Sequence, residues 1–294
     1  MNKRTLALIL LFLVQVFYGL NYGFANDVID GGHIKPAGFI LLRLLGATTL
    51  FWIISLFIPK EKIDKKDYLT FVAAAFFGMF LNMLSFFKGL EFTTPIHASV
   101  ISTITPIVVL VLSSIYLKEK ITSLKILGII LGFTGAIILS IYGKAIHSGD
   151  NILLGNSLII LNAISFSIYL IIAKKLTAKY HPLTIIKWLF LLGLIMTTPF
   201  GIQEFREVQW HTFSSYNIFA AFFVVVFATF GTYLLNVIAL KHVKASTASI
   251  FVYLQPIVAA IFALIIGSDI INSVKIIAAI LIFIGVYLVT KPSK

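Results

Sequence analysis

Arg43 is the side chain whose chemistry fits its surroundings least. It stands inside an apolar stretch, 36–58, about seven residues from one end. At a helical rise of roughly 1.5 Å per residue that is roughly 10 Å deep. A guanidinium at such depth is costly unless it faces water or a partner, so intramembrane charge points to function by default. Its planar fork suits a carboxylate or another anion on a solute. The competing readings are a stem that snorkels to the surface and a structural lock with Glu91. Lys88 and Glu91 stand three residues apart near the end of the next apolar stretch and share a helical face. They could pair and neutralise the mouth of a cavity. His97 follows near the same surface and titrates near neutrality, although a histidine at an interface is ordinary.

Uncharged polar groups extend this set. Gln15, Tyr18, Asn21, Tyr22 and Asn26 fall in the first apolar stretch, and Asn82 and Ser85 precede Lys88 and Glu91 in the third. Ser99, Ser102, Thr103 and Thr105 follow in the fourth. The second half of the chain contributes Asn162, Ser165, Tyr169, Trp188, Tyr233, Asn236, Tyr253 and Gln255. Buried polar atoms need partners, which a hydrated cavity or its solute can supply, although hydrogen bonds between helices can also satisfy them. Pro106 and Pro256 sit near the middle of two apolar stretches and predict helix kinks that frame or gate a site. Lys187, close to a stretch end, reads as a headgroup anchor.

The elements that must position these groups follow from composition. The chain has 294 residues, of which 60% are hydrophobic and only 12% charged. A soluble domain runs near 45–50% apolar and about 25% charged, and its core cannot absorb this excess. The modest Gly and Pro content and the 27 Phe exclude a disordered or fibrous chain. A multi-pass, all-α integral membrane protein remains. Ten apolar segments can be marked, roughly 5–26, 36–58, 68–90, 95–116, 123–142, 152–173, 182–200, 213–238, 245–267 and 272–290. All connecting loops are short, so any site is built from the spans and their ends. The basic start Lys3–Arg4 resembles a signal peptide but reads as the beginning of the first span.

The formal charge of +12 fits orientation in a membrane better than nucleic-acid binding. With the N-terminus cytoplasmic, 15 Lys and Arg fall on the cytoplasmic side and 4 on the other, among them Lys144 and Lys275. Both termini are therefore expected in the cytoplasm. Lys125 joins Arg43, Lys88 and Lys187 among the cations within or at the ends of spans. The chain has no cysteine, which removes disulfides, thiolate chemistry and soft metal sites.

The two halves match at an offset of 150 residues. Ala98-Ser99 aligns with Ala248-Ser249, Pro106-Ile107-Val108 with Pro256-Ile257-Val258, Lys125-Ile126 with Lys275-Ile276, and Glu119 with Asp269. Leu131, Phe133 and Gly135 align with Leu281, Phe283 and Gly285. The division expected is 1–146 and 151–294, five spans each. An odd number of spans makes the second copy enter the membrane from the opposite side, the plan of many secondary transporters. The face Gly128-x3-Gly132-x2-Gly135 predicts close helix contact, within the chain or in a dimer.

The run from Lys88 to Ser99, then Ile104-Thr105-Pro106-Ile107, Tyr116 to Ile121 and Gly128 to Gly135, resembles the EamA-type branch of the drug/metabolite transporter superfamily. The likeness covers nearly the whole chain as two repeats. The second departs from the pattern, with Asp269 for the glutamate and Ala278 opposite Gly128. The resemblance implies ten helices in two inverted halves, a central cavity and passage of small metabolites, often outward. Family substrates include amino acids, amines, nucleotide-related compounds and drugs.

Rival classes are weaker. An enzyme would need acidic groups and histidines convergent at one depth, and the six histidines all lie near span ends. Nothing resembles a channel filter; a scaffold or receptor role is the other alternative. No metal, cofactor or nucleic acid is expected. The expected state is a monomer, with a dimer as the alternative, in the cell membrane and in the inner membrane of a double-membraned bacterium. The expected partners are lipid and a solute whose carboxylate meets the cationic pair Arg43 and Lys88 and whose remainder suits the aromatic residues, most simply a zwitterionic amino acid. Export or exchange by alternating access is expected, with another small metabolite or drug as the alternative solute.

Overall fold

A computed structural model describes residues 2–30, 33–93, 98, 101–141, 151–265 and 272–291. The apolar stretches are helical. In chain order they are α1 (Lys3–Asp30), α2 (Pro36–Ser55), α3 (Lys65–Phe92), α4 (Thr105–Tyr116), α5 (Ser123–Ile141), α6 (Ile152–Leu176), α7 (Pro182–Arg206) and α8 (Ser215–Leu240). A ninth, α9, runs as Ala245–Ile250, a 3-10 turn Phe251–Leu254 and Gln255–Ile265, and α10 is Ser273–Thr290. Among the described residues eight helices are long and apolar enough to cross a membrane, while α4 and α5 are shorter apolar helices. Residues such as Ile276, Ile277, Ile280 and Phe283 on α10 lie exposed. A surface of that kind is stable only against lipid. The chain is thus an all-α, multi-pass membrane protein.

Sequence signals set the helix ends. Asn151 Oδ1 accepts from the Leu154 amide at 3.2 Å to cap α6, and Asn272 Oδ1 accepts from the Lys275 amide at 2.9 Å to cap α10. Pro36 and Pro182 open α2 and α7, where no amide donor is needed. Helix α2 packs along α7 and α5 along α10; α6 lies against α3 and α4, and α1 against α8 and α9.

Two irregularities recur 150 residues apart. Helix α3 widens into a π-helical turn at Phe76–Leu81, and α8 does so at Val226–Gly231. The chain also breaks its α-helical pattern at Thr103–Ile104 ahead of Pro106 and at Phe251–Leu254 ahead of Pro256. Each proline stands in the first turn after a break, where its missing N–H costs little.

The glycine face of α5 packs within the chain. A Cβ on Gly128 would lie 2.7 Å from the Gly285 carbonyl oxygen, and one on Gly135 would lie 2.6 Å from that of Ala278. Since Gly128 corresponds to Ala278 and Gly135 to Gly285, each end of the face meets the counterpart of its other end. The two helices are antiparallel, and their backbones touch where a side chain cannot fit.

Candidate functional site

A cavity of about 120 Å³ lies among α1, α2, α3, α6, α8, α9 and the start of α4. Its charge is Arg43. Its amides are Asn21, Asn82, Asn162 and Gln255, and Ser102 and Thr105 add hydroxyls. Its rings are Tyr18, Phe86, Phe87, Phe166 and Tyr233, with Met83 and Val252 completing the apolar wall.

Arg43 is 5% exposed, which rules out snorkelling. Its Nε donates to Thr229 Oγ1 at 2.9 Å, and its guanidinium carbon stands 5.2 Å from the centre of the Phe87 ring. Thr229 lies in the π turn of α8 and donates to the Val224 carbonyl at 2.8 Å, five residues back. The wide turn thus aims the threonine oxygen at Arg43. Among the described residues no carboxylate is within ion-pair distance of Arg43, and its terminal amino groups have no hydrogen-bond acceptor. A buried, hydrogen-bonded cation with its fork free is half of an anion site.

The π turn of α3 faces the same region. Its displaced carbonyls are satisfied by the second half of the chain: Ser165 Oγ donates to Phe77 O at 2.7 Å and Tyr233 Oη to Gly78 O at 3.3 Å. Asn82 and Asn162 exchange side-chain-to-backbone bonds at 3.4 and 2.9 Å. Gln255 Nε2 donates to Gln15 Oε1 at 2.8 Å. The cavity-lining Asn21 keeps its buried side-chain oxygen without a partner among the described residues. It is an acceptor in the same cavity as the Arg43 donor.

Of the residues expected at a site, Asn21, Arg43, Asn82, Tyr233 and Gln255 line this cavity. Tyr169, Tyr253 and Asn236 stand buried behind it; the Tyr169 ring lies 6.1 Å from that of Tyr233. Trp188 packs edge-on against Trp52 at 5.4 Å, with Lys187 over the Trp52 ring. Lys88 bonds Glu91 at 3.1 Å in a part-exposed pair that does not line the cavity. Arg43 is therefore not locked by Glu91, and Lys88 is not its companion. Ser99, His97, Asp269, Lys144 and the side chains of Tyr22 and Asn26 lie outside the described residues. Sequence reasoning missed Thr229, Phe86, Phe87 and Phe166. A signal existed for Thr229, which stands four residues before Tyr233 and seven before Asn236 on one helical face.

A second polar cluster, also unforeseen, ties the halves together. Lys125 and Glu119, both 7% exposed at the side chain, pair at 3.4 Å. Lys125 Nζ donates to Ser246 Oγ at 2.7 Å, and Glu119 accepts from the Ser246 hydroxyl and the Ala245 amide. Lys118, with φ of 53°, turns the chain after α4 so that Glu119 points inward, while the Glu119 amide donates back to Ser113 O at 3.1 Å.

Fold and cavity define a helical membrane protein with a polar chamber inside the bundle, the plan of a small-solute transporter. The chain belongs to the EamA-like transporter family, which it matches over residues 5–141 and 153–291. Members of this family are transporters, not enzymes. An uncharacterized transporter of Archaeoglobus fulgidus is 29% identical over 96% of this chain and 98% of its own. The uncharacterized transporter YetK of Bacillus subtilis is 27% identical over 76% of this chain and 68% of its own. The riboflavin transporter ImpX of Fusobacterium nucleatum is 24% identical over 79% of each chain. A crystal structure superposes with a TM-score of 0.80 at 14% identity, covering 96% of this chain and 95% of that one, which shows the fold.

Proposed function

We propose that the protein is a secondary transporter that moves small carboxylate-bearing organic metabolites, amino acids foremost, by alternating access, as an exporter or exchanger. The observation that carries this reading is Arg43. It is buried, held by Thr229 and Phe87, and lacks a carboxylate partner among the described residues. A solute carboxylate completes it. The Asn21 oxygen can accept from an ammonium, and the aromatic walls can face a cation or an apolar side chain. A zwitterion uses all three.

Size favours a compact solute. About 120 Å³ is well below the roughly 300–1,000 Å³ of sites for drug-sized ligands. A solute as large as the riboflavin in one relative's name would need this cavity to widen. Alternating access is supported by the recurrence of the π turns and pre-proline breaks and by the reciprocal, antiparallel α5–α10 contact. Two similar halves of five spans, inverted in the membrane with both ends cytoplasmic, would produce all three and could exchange conformations about one shared site. The test is an exchange screen with purified protein in proteoliposomes. A saturable flux of an amino acid or another small carboxylate is expected, and inactivity across a broad metabolite panel would refute the assignment.

A further inference from the structure

Away from the central cavity, a second cavity of about 220 Å³ opens where the start of α1, the start of α5, the α8–α9 junction and the end of α10 converge. Its polar lining is Arg4, Lys125, His242, Lys244, Thr247 and Lys291. Four cations from four separate segments meet there. The nearby carboxylate, Glu119, is already committed to Lys125, Ser246 and the Ala245 amide. Arg4 donates one guanidinium amine to the Thr290 carbonyl. The side-chain amines of Lys244 and Lys291 have no hydrogen-bond or ion-pair partner among the described residues.

We propose that this cavity binds a phosphate group of net negative charge, presented by an anionic lipid headgroup or by a soluble phosphate compound. Charge, shape and position agree. A phosphate carries one to two negative charges and several acceptor oxygens. Arg4, Lys244 and Lys291 supply donors without breaking a buried pair, and Thr247 adds a hydroxyl. Helix ends place the cavity at headgroup depth, where anionic lipids concentrate against basic clusters. A diffuse orientation bias explains lysines scattered over exposed loops, such as Lys60 and Lys62, but not their convergence on one concavity. The lining histidine also sits beside further lysines outside the cavity. Burial, then Lys3, Lys241 and Lys174, hold the His242 imidazole below its usual range, so a bound anion is expected to move it upward.

The experiment uses the full-length protein in neutral detergent, probed separately with short-chain phosphatidylglycerol, phosphatidylcholine and inorganic phosphate. Binding is followed by native mass spectrometry and thermal shift. Phosphatidylglycerol or phosphate is expected to bind, and its affinity should fall about tenfold in K244Q/K291Q. It should stay nearly unchanged in K60Q/K62Q, which removes the same charge elsewhere. Binding of the lipid without the free ion assigns the headgroup, and binding of the free ion assigns a soluble phosphate. Equal loss in both double variants, equal binding of phosphatidylcholine, or no binding of either anionic probe would overturn the site. If K244Q/K291Q does not fold, the wild-type His242 titration decides instead. An upward shift on adding the probe supports the site, and an unmoved titration refutes it.

Discussion

At the scale of single residues, the account turns on which buried charges are already paired. Arg43 has one hydrogen bond and a ring face, but no counter-ion among the described residues. Arg43→Ala should lower solute affinity or flux while protein abundance holds. Arg43→Lys keeps the charge and loses the fork, and is expected to cost about 2 kcal/mol of binding, roughly thirtyfold. Direct binding measurements beside flux separate the two variants. Thr229→Val removes the oxygen that orients the guanidinium, and should raise KM with little change in melting temperature. Lys125 is the opposite case, since Glu119 and Ser246 already satisfy it. Glu119→Gln strands a buried ammonium and should cost about 3 kcal/mol of stability, which Lys125→Met in the same chain should partly restore. Denaturation of the purified single and double variants checks both values. Arg43 was legible because charge within an apolar run is conspicuous. Lys125 stands out as a cation at a span end, but its pairing with Glu119 does not, because six residues of separation across a loop carry no periodic signal.

At the scale of elements, the sequence marks apolar runs well and their internal breaks poorly. A π turn needs no special residue. Phe76–Leu81 and Val226–Gly231 share only phenylalanines in register, Phe77 with Phe227 and Phe80 with Phe230, and phenylalanines are common throughout this chain. The α3 turn gives carbonyls to Ser165 and Tyr233 of other helices, and the α8 turn is bonded by its own Thr229 and Thr232. The prolines announced a disturbance at 106 and 256 but not that the helix would end and restart ahead of them. The glycine face was legible as small residues at helical spacing, whereas its partner was not. The structure gives that partner as α10. Gly128→Leu should therefore disrupt folding by forcing α5 off α10, measured as loss of monodisperse protein after extraction. An enlargement at the exposed neighbour, Leu127→Phe, should leave the yield unchanged.

At the scale of the whole molecule, the ends of the bundle are held by polar ties whose strength depends on pH. Lys35 bonds Glu207 at 2.8 Å outside the spans. That contact holds the Glu207 carboxyl below the usual carboxylate range and lifts the Lys35 amine. The lowered carboxyl contributes stability above its ordinary pKa of about 4.3, lost as pH falls through the folded-state value. The raised amine contributes below about 10.4, lost as pH rises through its own. Lys35→Gln should therefore lower the melting temperature slightly at neutral pH and not at all in strong acid. The offset of 150 residues is readable in the sequence because Pro, Lys and Gly match in one ungapped register. The cavity was less readable, since Phe86, Phe87 and Phe166 look like any lipid-facing phenylalanine until the helices are placed. The central claim is that an interior site built around Arg43 is offered to the two membrane faces in turn. Its most direct test is counterflow of a labelled small carboxylate, an amino acid first, into proteoliposomes containing the purified protein. The account predicts saturable uptake, accelerated by the same solute on the far side and abolished by Arg43→Ala. Uptake indifferent to solute on the far side and retained in that variant would contradict it.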